Sequence, residues 1–150
     1  MKSQDVFDFN PTWKVKLTVL QFIENDKGGL LELKVVAGGK AEFDYSIRQL
    51  RNTIVYSSAH GMLDIFLDNK WKAIPENSSL TINLGVAYRL RNHADSPITF
   101  NMKIELNYHF AQTITRLYAF ATLPDSEYSR KKHLIELLTE CYQTDFEFEN

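Results

Sequence analysis

The sequence predicts a small, mainly β domain, a sandwich or barrel with one or two C-terminal α-helices. Three observations carry this reading. Between Thr53 and Lys103, short apolar runs alternate with turn signals every eight to twelve residues, at His60-Gly61, Asp68-Asn69, Pro75–Ser78, Gly85 and Asn92–Pro97. Aromatic residues are plentiful, with ten Phe, seven Tyr and two Trp, and such side chains pack well on a pleated surface. Beyond Asn107 the apolar spacing changes: Phe110, Ile114, Leu117 and Ala121 lie four, three and four apart, as on one helix face, while Thr115, Tyr118 and Thr122 leave a continued strand open.

The elements follow in order. Residues 1–12 read as an N-terminal arm in which Phe7 and Phe9 pin the chain and Pro11 stops regular pairing. Trp13, Val15, Leu17 and Val19 alternate with polar residues, the mark of a half-buried strand. Asn25–Gly29 is a turn, and Leu30–Val36 a second strand ended by Gly38-Gly39. Phe43, Tyr45 and Ile47 form another alternating set, followed by a polar link, Arg48–Asn52. In Met62–Leu67, Leu63, Ile65 and Leu67 face one way and Met62, Asp64 and Phe66 the other, so two of the three outward positions are apolar. Asp68-Asn69-Lys70 is a tight hairpin turn. Leu80, Ile82 and Leu84 alternate, and Ile98–Leu106 is the cleanest strand of the chain. After the break at Leu123–Ser126, a helix is expected from about Tyr128 to Tyr142, with Leu134, Leu137, Leu138 and Cys141 as its stripe and Asp125 or Ser126 as cap. The expected organisation is one domain over residues 1–150, with the barrel at 13–107 and a helical extension at 108–150.

Composition bounds the function. A chain of 150 residues suits one core. The net charge of -2 predicts no general field for polyanions, hence no direct nucleic-acid binding. A single cysteine, Cys141, excludes an internal disulfide. No apolar run approaches the roughly 18 residues of a membrane span, and the first residues lack the apolar core of a signal peptide. A cytoplasmic or nuclear location is the expectation.

The order of pieces in the central stretch resembles the second half of a cupin, a small jelly-roll barrel. In that family a Pro-Gly-x-x-His-x-x-x-Asn segment precedes the last core strands. Here Gly85, Tyr88 and Asn92 hold those places, with Leu84 for Pro and Tyr88 for the metal-binding His. The family's first motif, anchored on Gly39 and Gly61, puts its two His places near Ser46 and Arg48 and its Glu place near Arg51 or Asn52. The resemblance therefore implies a metal-free cupin with no cofactor. The four histidines, His60, His93, His109 and His133, show no ligand spacing and read as surface or capping residues. Cys141 reads as a small core residue, Asp64 and Asp68 as solvated hairpin acids, and Gly28-Gly29 and Gly38-Gly39 lack the Lys-Ser/Thr of a phosphate loop. Arg89 and Arg91 alternate on one strand and are either an exposed pair or an anion site.

Large side chains at the inward positions, among them Leu33, Phe43, Tyr45, Ile65, Tyr88, Phe100 and Met102, argue that the barrel packs its own interior. The chain then reads as a non-enzymatic, homodimeric protein-docking module, with Met62 and Phe66 at the dimer interface. The C-terminal segment, through Leu134, Leu137, Leu138, Tyr142, Phe146 and Phe148, either packs on its own barrel or forms the wall of a partner groove. Among metal-free cupins the sequence is similar to the C-terminal domain of centromere protein C, through Thr53–Tyr56, Ala87–Asn92 and Ile98–Ile104, over about residues 30–105. That resemblance implies a nuclear, centromeric homodimer that recruits centromere assembly factors. The alternatives are a metal-free cupin that binds a small molecule, a sugar-modifying cupin enzyme, and a virion jelly roll.

Overall fold

The computed structural model describes residues 2–8, 14–25, 28–42, 46–49, 53–106 and 146–149. Their strands are β1 (Val6–Asp8), β2 (Val15–Asn25), β3 (Gly28–Ala37), β4 (Ser46–Gln49), β5 (Ile54–His60), β6 (Leu63–Leu67), β7 (Lys70–Ile74), β8 (Ser79–Ile82), β9 (Ala87–Arg91), β10 (Ile98–Leu106) and β11 (Phe146–Glu149). They form two antiparallel sheets, one in the order β1-β2-β3-β10-β5-β8, the other β11-β4-β9-β6-β7. Both sheets feed one core: Val19, Leu31, Leu33, Val35, Ile54, Tyr56, Phe100 and Ile104 from the first, Leu63, Ile65, Leu67 and Tyr88 from the second.

The alternation read from the sequence sets these faces. Along β10, Ile98, Phe100 and Ile104 are buried while Lys103 and Glu105 are exposed. Along β6, Leu63, Ile65 and Leu67 are buried and Asp64 and Phe66 lie on the other face. The β6–β7 hairpin closes through Asp68 and Asn69, with φ of 53° and 63°. Two left-handed residues in a row match the right-handed twist of the flanking strands, and Asp and Asn tolerate that conformation better than most.

Elsewhere the chain departs from simple alternation. In β2 the inward set Val15, Leu17, Val19 is continued by Phe22, a change of parity. Its cause is an irregularity against β3 between Val19 and Gln21, where Leu20 is the additional residue. Arg48 and Gln49, read as a link, are the end of β4. Leu84, read as alternating with Leu80 and Ile82, lies beyond β8 and is 50% exposed, since the chain turns there through Gly85. Residues 146–149, assigned to a helical extension, are a strand: β11 pairs antiparallel with β4, Phe146 opposite Gln49 and Phe148 opposite Ile47. The arm likewise contains a strand, β1, on the edge beside β2. Phe43, Tyr45 and the expected helix at 128–142, with Leu134, Leu137, Leu138 and Tyr142, lie outside the described residues.

Asn92 ties one end of the barrel. Its buried amide shares its two N–H groups among the carbonyls of Ala37 (3.1 Å), Gly38 (2.9 Å) and Ser96 (2.8 Å), and its Oδ1 accepts from the Ala94 N–H (3.0 Å). Gly39 lies against the same loop, where a Cβ would stand 2.0 Å from the Asp95 carbonyl oxygen. At the β5–β6 turn, Gly61 combines φ of +81° with a Cβ position 2.6 Å from the Ile98 side chain. Only glycine meets both conditions.

Candidate interaction site

Strand β9 presents chemistry to both sides of its sheet. Inward, Tyr88 is 1% exposed and its hydroxyl lies 2.8 Å from that of Tyr56, itself 1% exposed. The two rings meet edge to face at 5.8 Å, and Phe100 stands 6.1 Å from Tyr56. Burial holds the Tyr56 phenol well above its ordinary pKa, and the neighbouring Tyr88 adds to the shift. A neutral, hydrogen-bonded pair of phenols thus occupies the middle of the core.

Outward, the same strand carries Arg89 and Arg91. The registers place Phe66 opposite Arg89 on one side and opposite Trp71 on the other, and Asp64 opposite Arg91. The Arg91 Nε donates to Asp64 Oδ2 at 3.1 Å, a pair that is four-fifths buried on each side. Its guanidinium carbon lies 3.8 Å from the centre of the Trp71 ring. Arg89 lies 4.9 Å from the Phe66 ring centre and 5.6 Å from that of Trp71, and the two rings are 5.3 Å apart. Desolvated cations over aromatic faces gain about 1–2 kcal/mol. The ladder Asp64–Arg91–Trp71–Arg89–Phe66 therefore holds two guanidinium groups in fixed places. Only one of them has a carboxylate among the described residues.

No family model and no curated protein sequence matches the chain. Solved structures do match. An RmlC-like cupin from Shewanella frigidimarina superposes with a TM-score of 0.56 at 14% identity, covering 72% of this chain and 88% of its own. The chain has a cupin fold. The Schizosaccharomyces pombe Cnp3 cupin domain gives 0.52 at 12% identity, covering 69% of this chain and 71% of that one. A predicted oxalate decarboxylase from Thermotoga maritima gives 0.53 at 15%, covering 61% and 80%. These likenesses thus span one cupin named as a predicted enzyme and two not named as enzymes.

The cupin metal place can be tested on the residues present. Tyr88 holds the last ligand position and is engaged with Tyr56. Ile47 of β4 packs on the core, so the inward position of that strand is an aliphatic residue. Ser46 and Arg48, taken from the sequence as the two His places, flank it and fall on the other face, a register one residue off. No group of three His, Cys, Asp or Glu converges among the described residues. Phenols and aliphatics do not suit a divalent ion there, which needs imidazole or carboxylate donors.

Of the predicted interface pair, Met62 is 59% exposed beside the β5–β6 turn, and Phe66 is half-buried between Trp71 and Arg89. Four residues of extended chain separate them by about 13 Å, so they are two places rather than one patch. Of the predicted docking residues, the backbone of Phe146 and Phe148 is in β11, at the far edge of this sheet. Trp71 was missed by the sequence reading, although the signal was there. A two-residue turn at Asp68-Asn69 fixes Leu67 opposite Lys70, and so Trp71 opposite Phe66.

Proposed function

We propose that this cupin is a non-enzymatic module for homodimerisation and protein docking. The observation that carries the reading is the contrast across β9: a barrel centre closed by the Tyr56–Tyr88 pair, and an outer face bearing Trp71, Phe66, Arg89 and Arg91. Trp and Arg dominate the energetics of protein contacts because they bring large area with directional donors. The dimer contact is centred on the exposed Met62, apart from the Phe66–Trp71–Arg89 face. The likeness to the Cnp3 cupin domain and the sequence resemblance to centromere protein C support a place in an inner-kinetochore scaffold that recruits centromere assembly factors, and with it a nuclear location.

Light scattering tests the dimer. Met62→Arg adds a charge at an exposed position, so the fold is spared, and a two-fold contact sets each added charge near its copy. The expected result is a folded monomer at micromolar concentration where the parent chain is a dimer. A variant that remains dimeric removes Met62 from the interface, and a parent chain that is monomeric removes the reading.

A further inference from the structure

We propose that Arg89 is the anchor for a carboxylate of an acidic, aromatic-bearing peptide segment of a partner protein, which lies across the outer face of β9, β6 and β7. The inference rests on the docking reading above and names the chemistry of the partner. Its first support is the unequal state of the two arginines. Arg91 spends its Nε on Asp64. Arg89, one pleat along the same face, has its Nε out of water with no hydrogen-bond partner among the described residues. A buried donor on a charged group left unmade costs more than a neutral one, and a guanidinium held beside two rings is restricted in advance of a two-point bond to a carboxylate.

The second support is charge. By the registers, the acids of this face stand opposite two of its three arginines, Asp64 and Glu42 opposite Arg91 and the Glu147 position opposite Arg48, whereas Arg89 stands opposite Phe66. One arginine with no facing acid among the described residues suits a single carboxylate better than a phosphate dianion. The third support comes from the chain itself. At the other edge of the same sheet, the segment that already adds is the strand Phe146–Glu149, acid alternating with aromatic, with the Glu147 position directly opposite Arg48. A sheet that accepts this pattern against one arginine offers a second arginine, unpaired with acid, beside Trp71 and Phe66.

The probe is a fluorescein-labelled peptide of that pattern, Asp-Phe-Glu-Phe-Glu, titrated with the full chain by fluorescence anisotropy. The control peptide is Asn-Phe-Gln-Phe-Gln. The expected result is saturable binding, weakened by salt, absent for the control, and reduced roughly ten- to a hundredfold by Arg89→Gln. Arg89→Lys, which keeps the charge but not the two-point geometry, should still lose most of the affinity, so it serves if Arg89→Gln fails to fold. Unchanged affinity in both variants overturns the proposal and places the peptide elsewhere, for instance on β4 in place of the chain's own tail. Equal competition by inorganic phosphate overturns it in favour of a general anion site. If Arg89→Gln instead turns a dimeric chain monomeric in light scattering, the occupant is a second copy and the peptide assignment fails. A monomeric parent chain that still binds the peptide would sink the dimer reading and leave this one standing.

Discussion

Tyr88 and Arg89 are neighbours in the chain and end in opposite conditions. The Tyr88 hydroxyl is buried and bonded to Tyr56, with every ring around it packed. The Arg89 guanidinium is held as firmly, between Phe66 and Trp71, but one of its buried N–H groups has no acceptor among the described residues. The β pleat makes this separation, since it sends consecutive side chains to opposite faces. The difference teaches where to look for function on this cupin fold. The interior is a finished core, and the outer face of the second sheet is polar chemistry left open in an aromatic frame.

The comparison breaks most severely at Asn92. Replacing it by Ala removes four hydrogen bonds at one buried point and leaves the Ala37, Gly38 and Ser96 carbonyls and the Ala94 N–H short of partners. Asn92→Ala should cost about 3 kcal/mol, read as a fall in the urea midpoint. A loss under about 1 kcal/mol would mean that solvent replaces the side chain and that the closed end is less closed than described.

The tyrosine pair comes next. Tyr56→Phe should cost about 1 kcal/mol by leaving the Tyr88 hydroxyl without this partner, and the double variant Tyr56→Phe/Tyr88→Phe should cost less than the sum of the two single changes. Alkaline pH gives an independent reading. The folded pKa of Tyr56 is raised above its unfolded value, first by burial and then by Tyr88. Its stabilising contribution is therefore complete below about pH 10 and declines as pH rises beyond, where the unfolded phenol ionises and the folded one does not. The parent chain should lose stability above that pH more steeply than Tyr56→Phe. Equal slopes would put Tyr56 in contact with water.

A smaller effect is expected on the outer face. Asp64→Asn keeps the shape of the side chain and removes its charge beside Arg91. The pair is largely shielded but sits at the surface of the sheet, so the cost should be about 1 kcal/mol or less. The same change should shift the emission of Trp71, because Arg91 is no longer held at 3.8 Å over the indole. An unmoved spectrum would show that Trp71 alone positions Arg91.

Much of the fold was legible because one face of each strand is buried. The sets Leu63, Ile65, Leu67 and Ile98, Phe100, Ile104 announce their own register, and Asp68-Asn69 announces the hairpin. The parity change at Leu20 was not legible, since a bulge leaves no fixed residue signature. Arg48 was read as part of a link because a charge at a sheet's outer face looks like a loop residue until its neighbours are known. The strand at Phe146–Glu149 has too few residues to establish a period, and its partner β4 lies about a hundred residues earlier in the chain. The site was half visible. Phe66 and Arg89 were each singled out as outward, but what joins them to Arg91 is Trp71, reached through a cross-strand register rather than through any spacing along one strand.

The most direct test sets one inward change against one outward change in the same assay, sedimentation velocity over a dilution series. Tyr88→Phe alters the barrel centre, and Met62→Arg alters the exposed contact. Tyr88→Phe should lose stability yet sediment as the parent dimer. Met62→Arg should keep its stability within about 0.5 kcal/mol and sediment as a monomer. The opposite pattern, a monomeric Tyr88→Phe and a dimeric Met62→Arg, would contradict the assignment of function to the outer face.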